Sequence, residues 1–151
     1  MVNGYYAIAP NQRGYSAGAR PESVEQYQLK YLTSDILAIA DKLELEQFHL
    51  IGHDWGALVG WQVAAETPER VLSYGAISVP HVYALIKAYR EDTMQYDASA
   101  YVRFFQKNLL PEFMIAKSDY ELLRSIWSQH KAAEVEHYID IFGQETALKS
   151  V

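Results

Sequence analysis

Short apolar runs alternate with longer amphipathic stretches over the first half of the chain. Tyr5-Tyr6-Ala7-Ile8-Ala9 is an aromatic and aliphatic run that predicts a strand. Pro10 ends it, and residues 11–21 are rich in turn formers. Ser23 with Gln26 three residues on fits a capping box. Leu29, Leu32, Ile36, Ile39 and Leu43 then recur at spacings of 3, 4, 3 and 4, one face of a helix running to about Leu43. Phe48 to Gly52 is short and nearly continuously apolar, as suits a strand covered on both faces. Ala57 to Glu66 predicts a second helix, stopped near Thr67-Pro68, and Val71 to Ile77 a further strand ending near Val79-Pro80. This order of strand, helix, strand, helix, strand implies right-handed crossovers and a parallel α/β sheet.

After Pro80 the pattern changes. Val82 to Tyr89, Ser99 to Asn108, Asp119 to Gln129 and Ala132 to Phe142 all carry helical periodicity, and Ser118 with Glu121 fits a second capping box. No strand signal returns. The expected organisation is therefore a partial α/β core over residues 1–81 and a helical cap, itself incomplete, over 82–151. The first strand begins almost at Met1, and Ala147 to Val151 carries no stop signal, so both ends read as cuts through a longer protein.

Composition narrows the chemistry. Half of the 151 residues are hydrophobic, enough for a packed core rather than a disordered chain. The net charge of −6, without a basic cluster, argues against nucleic acid and anionic membranes as partners. No run of about 18 apolar residues is present to cross a bilayer. With no cysteine there is no disulfide, thiolate metal site or Cys nucleophile. No signal peptide precedes the first strand, so a cytoplasmic location is expected. No phosphate loop or dinucleotide fingerprint occurs, and no cofactor or metal is expected. His130 and His137 stand seven apart without carboxylates at ligand spacing on the same face.

Gly52-His53-Asp54-Trp55-Gly56 has the form G-x-D-x-G between a buried strand and a helix. The related G-x-S-x-G word marks a strained strand-to-helix turn that presents a nucleophile. Here the presented group is the Asp54 carboxylate, at the carboxyl end of the sheet, where open α/β sheets bind ligands. The backbone N–H of Trp55 is a candidate oxyanion donor. A carboxylate attacks sp³ carbon by displacement and leaves an ester whose acyl half belongs to the enzyme, for water to hydrolyse. That chemistry suits epoxides and alkyl halides, which offer no carbonyl. The bland alternative is a turn aspartate that merely caps the helix beginning near Ala57.

Gly52-His53-Asp54-Trp55-Gly56-Ala57 resembles the elbow of the α/β-hydrolase fold family, in its epoxide-hydrolase-like branch. Gln12-Arg13-Gly14-Tyr15-Ser16 is similar to that branch's D-x-R-G-Y-G segment, with Asn11 where an acid is usual and Ser16 where glycine is usual. Ser78-Val79-Pro80-His81 resembles its handover from core to cap. The resemblance implies a hydrolase acting on a small apolar substrate, with Asp54 as nucleophile. It also implies that Tyr101, in Tyr101-Val102-Arg103-Phe104-Phe105-Gln106, is an epoxide-activating phenol, with Tyr96 as fallback. A packing role for Tyr101 is the alternative. His49, His53 and His81 read as packing or loop residues, and Trp61 and Trp127 as packing residues. The Trp55 indole is available to a leaving halide. The resemblance further implies an H-G-x-P loop, a second cap tyrosine, a late acid and a late histidine. None of these is found in residues 1–151, which alone are expected to be inactive. A haloalkane dehalogenase or a non-catalytic binding protein on the same fold are the competing readings.

Overall fold

The computed structural model describes residues 4–107, 110–144 and 147. Helix α1 (Leu29–Lys42) leads to strand β1 (Phe48–His53), helix α2 (Trp55–Glu66) and strand β2 (Val71–Ile77). The two strands are parallel neighbours, with Leu50 opposite Tyr74 and Gly52 opposite Ala76. A parallel pair requires a crossover, and α2 supplies it. α2 carries apolar residues around most of its circumference because it is wedged between α1 and the sheet. Leu32, Val59 and Val63 are buried there, with Ile36, Phe48, Leu50 and Val71 packed against them. Full burial of side chains of this size contributes about 1.5–3 kcal/mol each.

Among the described residues five helices follow: α3 (Val82–Glu91), α4 (Thr93–Ala98), α5 (Ala100–Phe105), α6 (Leu110–Ile126) and α7 (Ala132–Phe142). α6 is broken between Lys117 and Tyr120, where Ser118, Asp119 and Tyr120 take left-handed backbone angles. A second core lies here, built from Ile115, Leu123, Val135 and Ile139 with Tyr120, Trp127 and Phe142. Arg124 ties the break to α7, bonding the Asp119 carbonyl and carboxylate on one side and the Glu136 carboxylate on the other.

The expected fold class holds, and several local expectations do not. Tyr5 to Ala9 forms no strand: Tyr5 is an isolated bridge residue and Tyr6 to Ala9 are irregular. The Tyr5 ring meets that of His49 in β1 at 5.8 Å, but among the described residues Tyr6 to Ala9 make no ladder with β1, and a cavity of about 710 Å³ lies between them. Propensity alone cannot make a strand where the ladder bonds have no acceptor. The Ser23 capping box is not made; the Ser23 hydroxyl turns to the Glu25 carboxylate and heads only a short 3₁₀ turn, Val24–Tyr27. α1 starts later, at Leu29. Ser118 caps no helix either, since it lies inside the left-handed break. The helix expected over Ser99 to Asn108 is described as Ala100–Phe105, and Asn108 lies outside the described residues.

Candidate active site

The turn between β1 and α2 is tight because glycine makes it possible. A Cβ on Gly52 would lie 2.3 Å from the Gly56 carbonyl oxygen, so the first turn of α2 could not seat against β1 with any other residue there. Tyr74, from β2, donates its hydroxyl to the Ala57 carbonyl at 2.6 Å, and its ring fills the space where a Gly60 side chain would stand. Helix and sheet thus clamp the turn from two sides.

Asp54 sits at the apex with φ 54° and ψ −123°, a sparsely populated conformation for a residue with a side chain. Its backbone N–H reaches the Ile77 carbonyl at 3.4 Å, and its own carbonyl accepts from Ala57 at 2.9 Å and Leu58 at 3.3 Å. The side chain is exposed. Oδ1 accepts a 2.7 Å hydrogen bond from the Trp55 N–H. Oδ2 has no hydrogen-bond partner among the described residues. Asp54 is therefore the N-cap of α2, as the bland alternative anticipates, and also a carboxylate with one oxygen held and the other free. The helix N-terminus favours its negative charge. The Trp55 ring stands beside it, 57% exposed.

Residues 12–20 form a loop that is fastened to α1 and touches the first turn of α2. Arg13 makes a bidentate pair with Asp35 of α1, at 2.7 and 2.9 Å, and bonds the Gln26 carbonyl at 2.8 Å. Paired forks of this kind fix orientation as well as attraction. Gly14 turns the chain with φ 97°, and its N–H closes the loop on the Ala19 carbonyl at 2.7 Å. Ser16, where glycine is usual in the resembled segment, has φ −102°, so a side chain is no burden there. The Gln12 side chain packs on α2 at Gly56, where a Cβ would come within 3.2 Å of its nitrogen. Tyr15 follows Gly14 in this loop and is 41% exposed. Burial raises the Tyr15 pKa above its ordinary value, and the charge of Asp54 raises it further. Sequence reasoning missed Tyr15; the signal was its place in the Arg13-Gly14-Tyr15 turn.

Asp54 and Trp55 meet at the turn through the Oδ1 bond. Tyr101 lies on α5, 59% exposed, and no hydrogen bond joins it to Asp54 among the described residues. Tyr96 is engaged otherwise, with the Arg103 guanidinium 3.8 Å above its ring and bonded to its carbonyl. His53 is exposed on the open face of β1, and His49 bonds Ser73 across the strands at 2.8 Å. His81 caps α3 by accepting from the Tyr83 N–H, edge-on to Trp61. Trp61 packs on Tyr74, and Trp127 lies in the second core.

Comparison with known proteins gives a consistent picture. The chain is 34% identical to the AB hydrolase superfamily protein YfhM of Bacillus subtilis, over 98% of this chain and 54% of that protein. It is 32% identical to human epoxide hydrolase 4, over 95% of this chain and 43% of that protein. A solved epoxide hydrolase variant from Bacillus megaterium, holding its naphthyloxy-propanediol product, superposes with a TM-score of 0.81 at 27% identity, covering 93% of this chain and 52% of that one. The chain thus spans about half the length of the curated relatives it matches. No described helix is long and apolar enough to cross a membrane. The family pattern described as the alpha/beta hydrolase fold matches residues 2–131, and together with the clamped turn at Asp54 this places the chain in the α/β-hydrolase fold family.

Proposed function

We propose that the protein to which this chain belongs opens epoxides to diols through a covalent ester on Asp54. One observation carries the reading: a carboxylate at a strained strand-to-helix apex, with Oδ1 held by the Trp55 N–H and Oδ2 unpartnered. In the proposed first step Oδ2 attacks a ring carbon, the ring C–O bond breaks, and the alkoxide oxygen takes a proton from the Tyr101 phenol. Water then adds to the Asp54 acyl carbon, and the Trp55 N–H stabilises the oxyanion as the ester C–O bond breaks; one water proton passes to the departing diol oxygen and the other returns to the Tyr101 phenolate, restoring the Asp54 carboxylate. Residues 82–151 serve as the cap that brings Tyr101 over Asp54, and a cytoplasmic location goes with this reading.

The relatives named as epoxide hydrolases support this choice over other displacement chemistry. The exposed Trp55 ring, whose indole N–H bonds nothing among the described residues, favours one second reading, halide release from alkyl halides. Single-turnover reaction of the full-length protein in ¹⁸O-water separates direct from covalent catalysis. Label is expected in the Asp54 carboxylate. Label in the first-turnover diol alone means that water attacks the epoxide directly and overturns the mechanism.

A further inference from the structure

Arg20 stands at a crossing of three segments. Its Nε donates to the Gly14 carbonyl at 2.9 Å, and one terminal nitrogen reaches the Tyr15 carbonyl at 3.5 Å. The other terminal nitrogen donates to the side-chain oxygen of Gln144 at 2.6 Å, just past the end of α7. Among the described residues this is the only side-chain hydrogen bond joining residues 4–77 to residues 82–147. The planar guanidinium, with its donors fixed in one fork, suits a joint of this kind; an ammonium of the same charge offers no such plane.

Tyr15 is thereby set between two arginine anchors. Arg13, on its N-terminal side, fastens the loop to α1 through Asp35. Arg20, on its C-terminal side, fastens the same loop to the far end of the helical half. The first anchor is rigid, a bidentate pair on a core helix. The second is a single neutral-acceptor bond at an exposed position, so it is the one that opens.

We propose that Arg20 is a positioning residue: through Gln144 it latches the cap to the loop of residues 14–19 and so sets where that loop and its Tyr15 stand. Movement of the cap and movement of the loop are then one event. A substrate that draws the cap down also draws Tyr15 into place, and a cap that lifts releases both. The latch rests on the reading of Asp54 as the reactive centre only for its kinetic consequence; the joint itself does not.

The test is made on the full-length protein by hydrogen exchange and steady-state kinetics. Gln144→Ala, at the remote end of the latch, is expected to speed amide exchange across residues 14–19 by about three- to tenfold, the loss of one charge-assisted hydrogen bond. Gln144→Glu, which turns the joint into an ion pair, is expected to slow it. In an Arg20→Ala background both changes at Gln144 should have no further effect on the loop. Exchange across residues 14–19 that ignores Gln144 overturns the latch, and the two Gln144 variants decide this even if Arg20→Ala fails to fold. For a bulky epoxide, Gln144→Ala should raise KM by about three- to tenfold with kcat held within about twofold, and Gln144→Glu should restore it. An unchanged KM overturns the positioning role. A full-length protein that turns over no epoxide counts against the proposed function instead, and the exchange measurement still decides the joint.

Discussion

Asp54 combines two duties that rarely fall on one side chain. It terminates a helix, which calls for a carboxylate turned back on its own backbone, and it presents an oxygen outward. Both are met because Oδ1 and Oδ2 divide the work. On this reading the phenol of Tyr101 carries the proton, and Tyr101→Phe in the full-length protein is expected to lower epoxide opening by more than about tenfold, measured with a terminal epoxide. Strong halide release that ignores Tyr101 would move the assignment to a dehalogenase. Tyr15 gives a different handle. Its pKa is raised from the ordinary 10.0, so the folded state holds the phenolic proton more tightly than the unfolded state does. The stability this contributes is fully present below about pH 10 and is lost as pH rises through the folded value. Tyr15→Phe should therefore flatten the alkaline fall in unfolding free energy above about pH 10, read by urea titration. An unchanged alkaline slope would mean that the phenol is no different in the folded chain. The strained turn at Asp54 and Trp55 was legible because a short local word carries it. The fastening of the loop around Tyr15 was not, since it depends on Gly14 and on two arginines whose partners are distant in sequence.

At the scale of elements, the β1–α2–β2 unit was readable almost to the residue, because period and apolar runs report burial directly. Tyr5 to Ala9 was misread for the opposite reason: strand character resides in the partner as much as in the segment. The two capping boxes failed because a serine followed by an acid or amide has several local uses. Ser23 spends its hydroxyl on Glu25, and Ser118 sits where the backbone turns left-handed. The β1–α2 contact makes a sharp prediction. Gly52→Ala places a Cβ 2.3 Å from a backbone oxygen that no rotamer change can move. A loss of about 1–3 kcal/mol or more is expected in chemical denaturation, as for overpacking in a dense core. Tolerance of alanine would mean that α2 can slide away from β1.

At the scale of the molecule, the described residues hold two small cores. One face of the sheet is uncovered: Ile51 is 74% exposed and Ile77 52% exposed. Strands of this composition belong inside a parallel sheet, and a bare edge invites pairing with other chains. Residues 1–151 produced alone should bind the dye ANS strongly or self-associate, observed by fluorescence and by light scattering. They should also show no multiple turnover of epoxides, for want of a base that activates water at Asp54. Steady turnover abolished by Asp54→Asn would reveal such a base among the histidines described here. The general fold class was legible at this scale, whereas the membership of each core was not, because periodicity tells which face is buried but not against what.

The clamp on the β1–α2 turn bears on how such a chain changes over generations. The apex is held by Gly52 beneath it, by the Tyr74 hydroxyl on the Ala57 carbonyl, and by its own backbone bonds to Ile77, Ala57 and Leu58. None of these restraints uses the Asp54 carboxylate. These restraints would hold the apex backbone with another side chain at position 54, and only the Trp55 N–H would lose its acceptor. A mutation at the tip would therefore change the chemistry while the mount of glycine and backbone bonds behind it stayed in place.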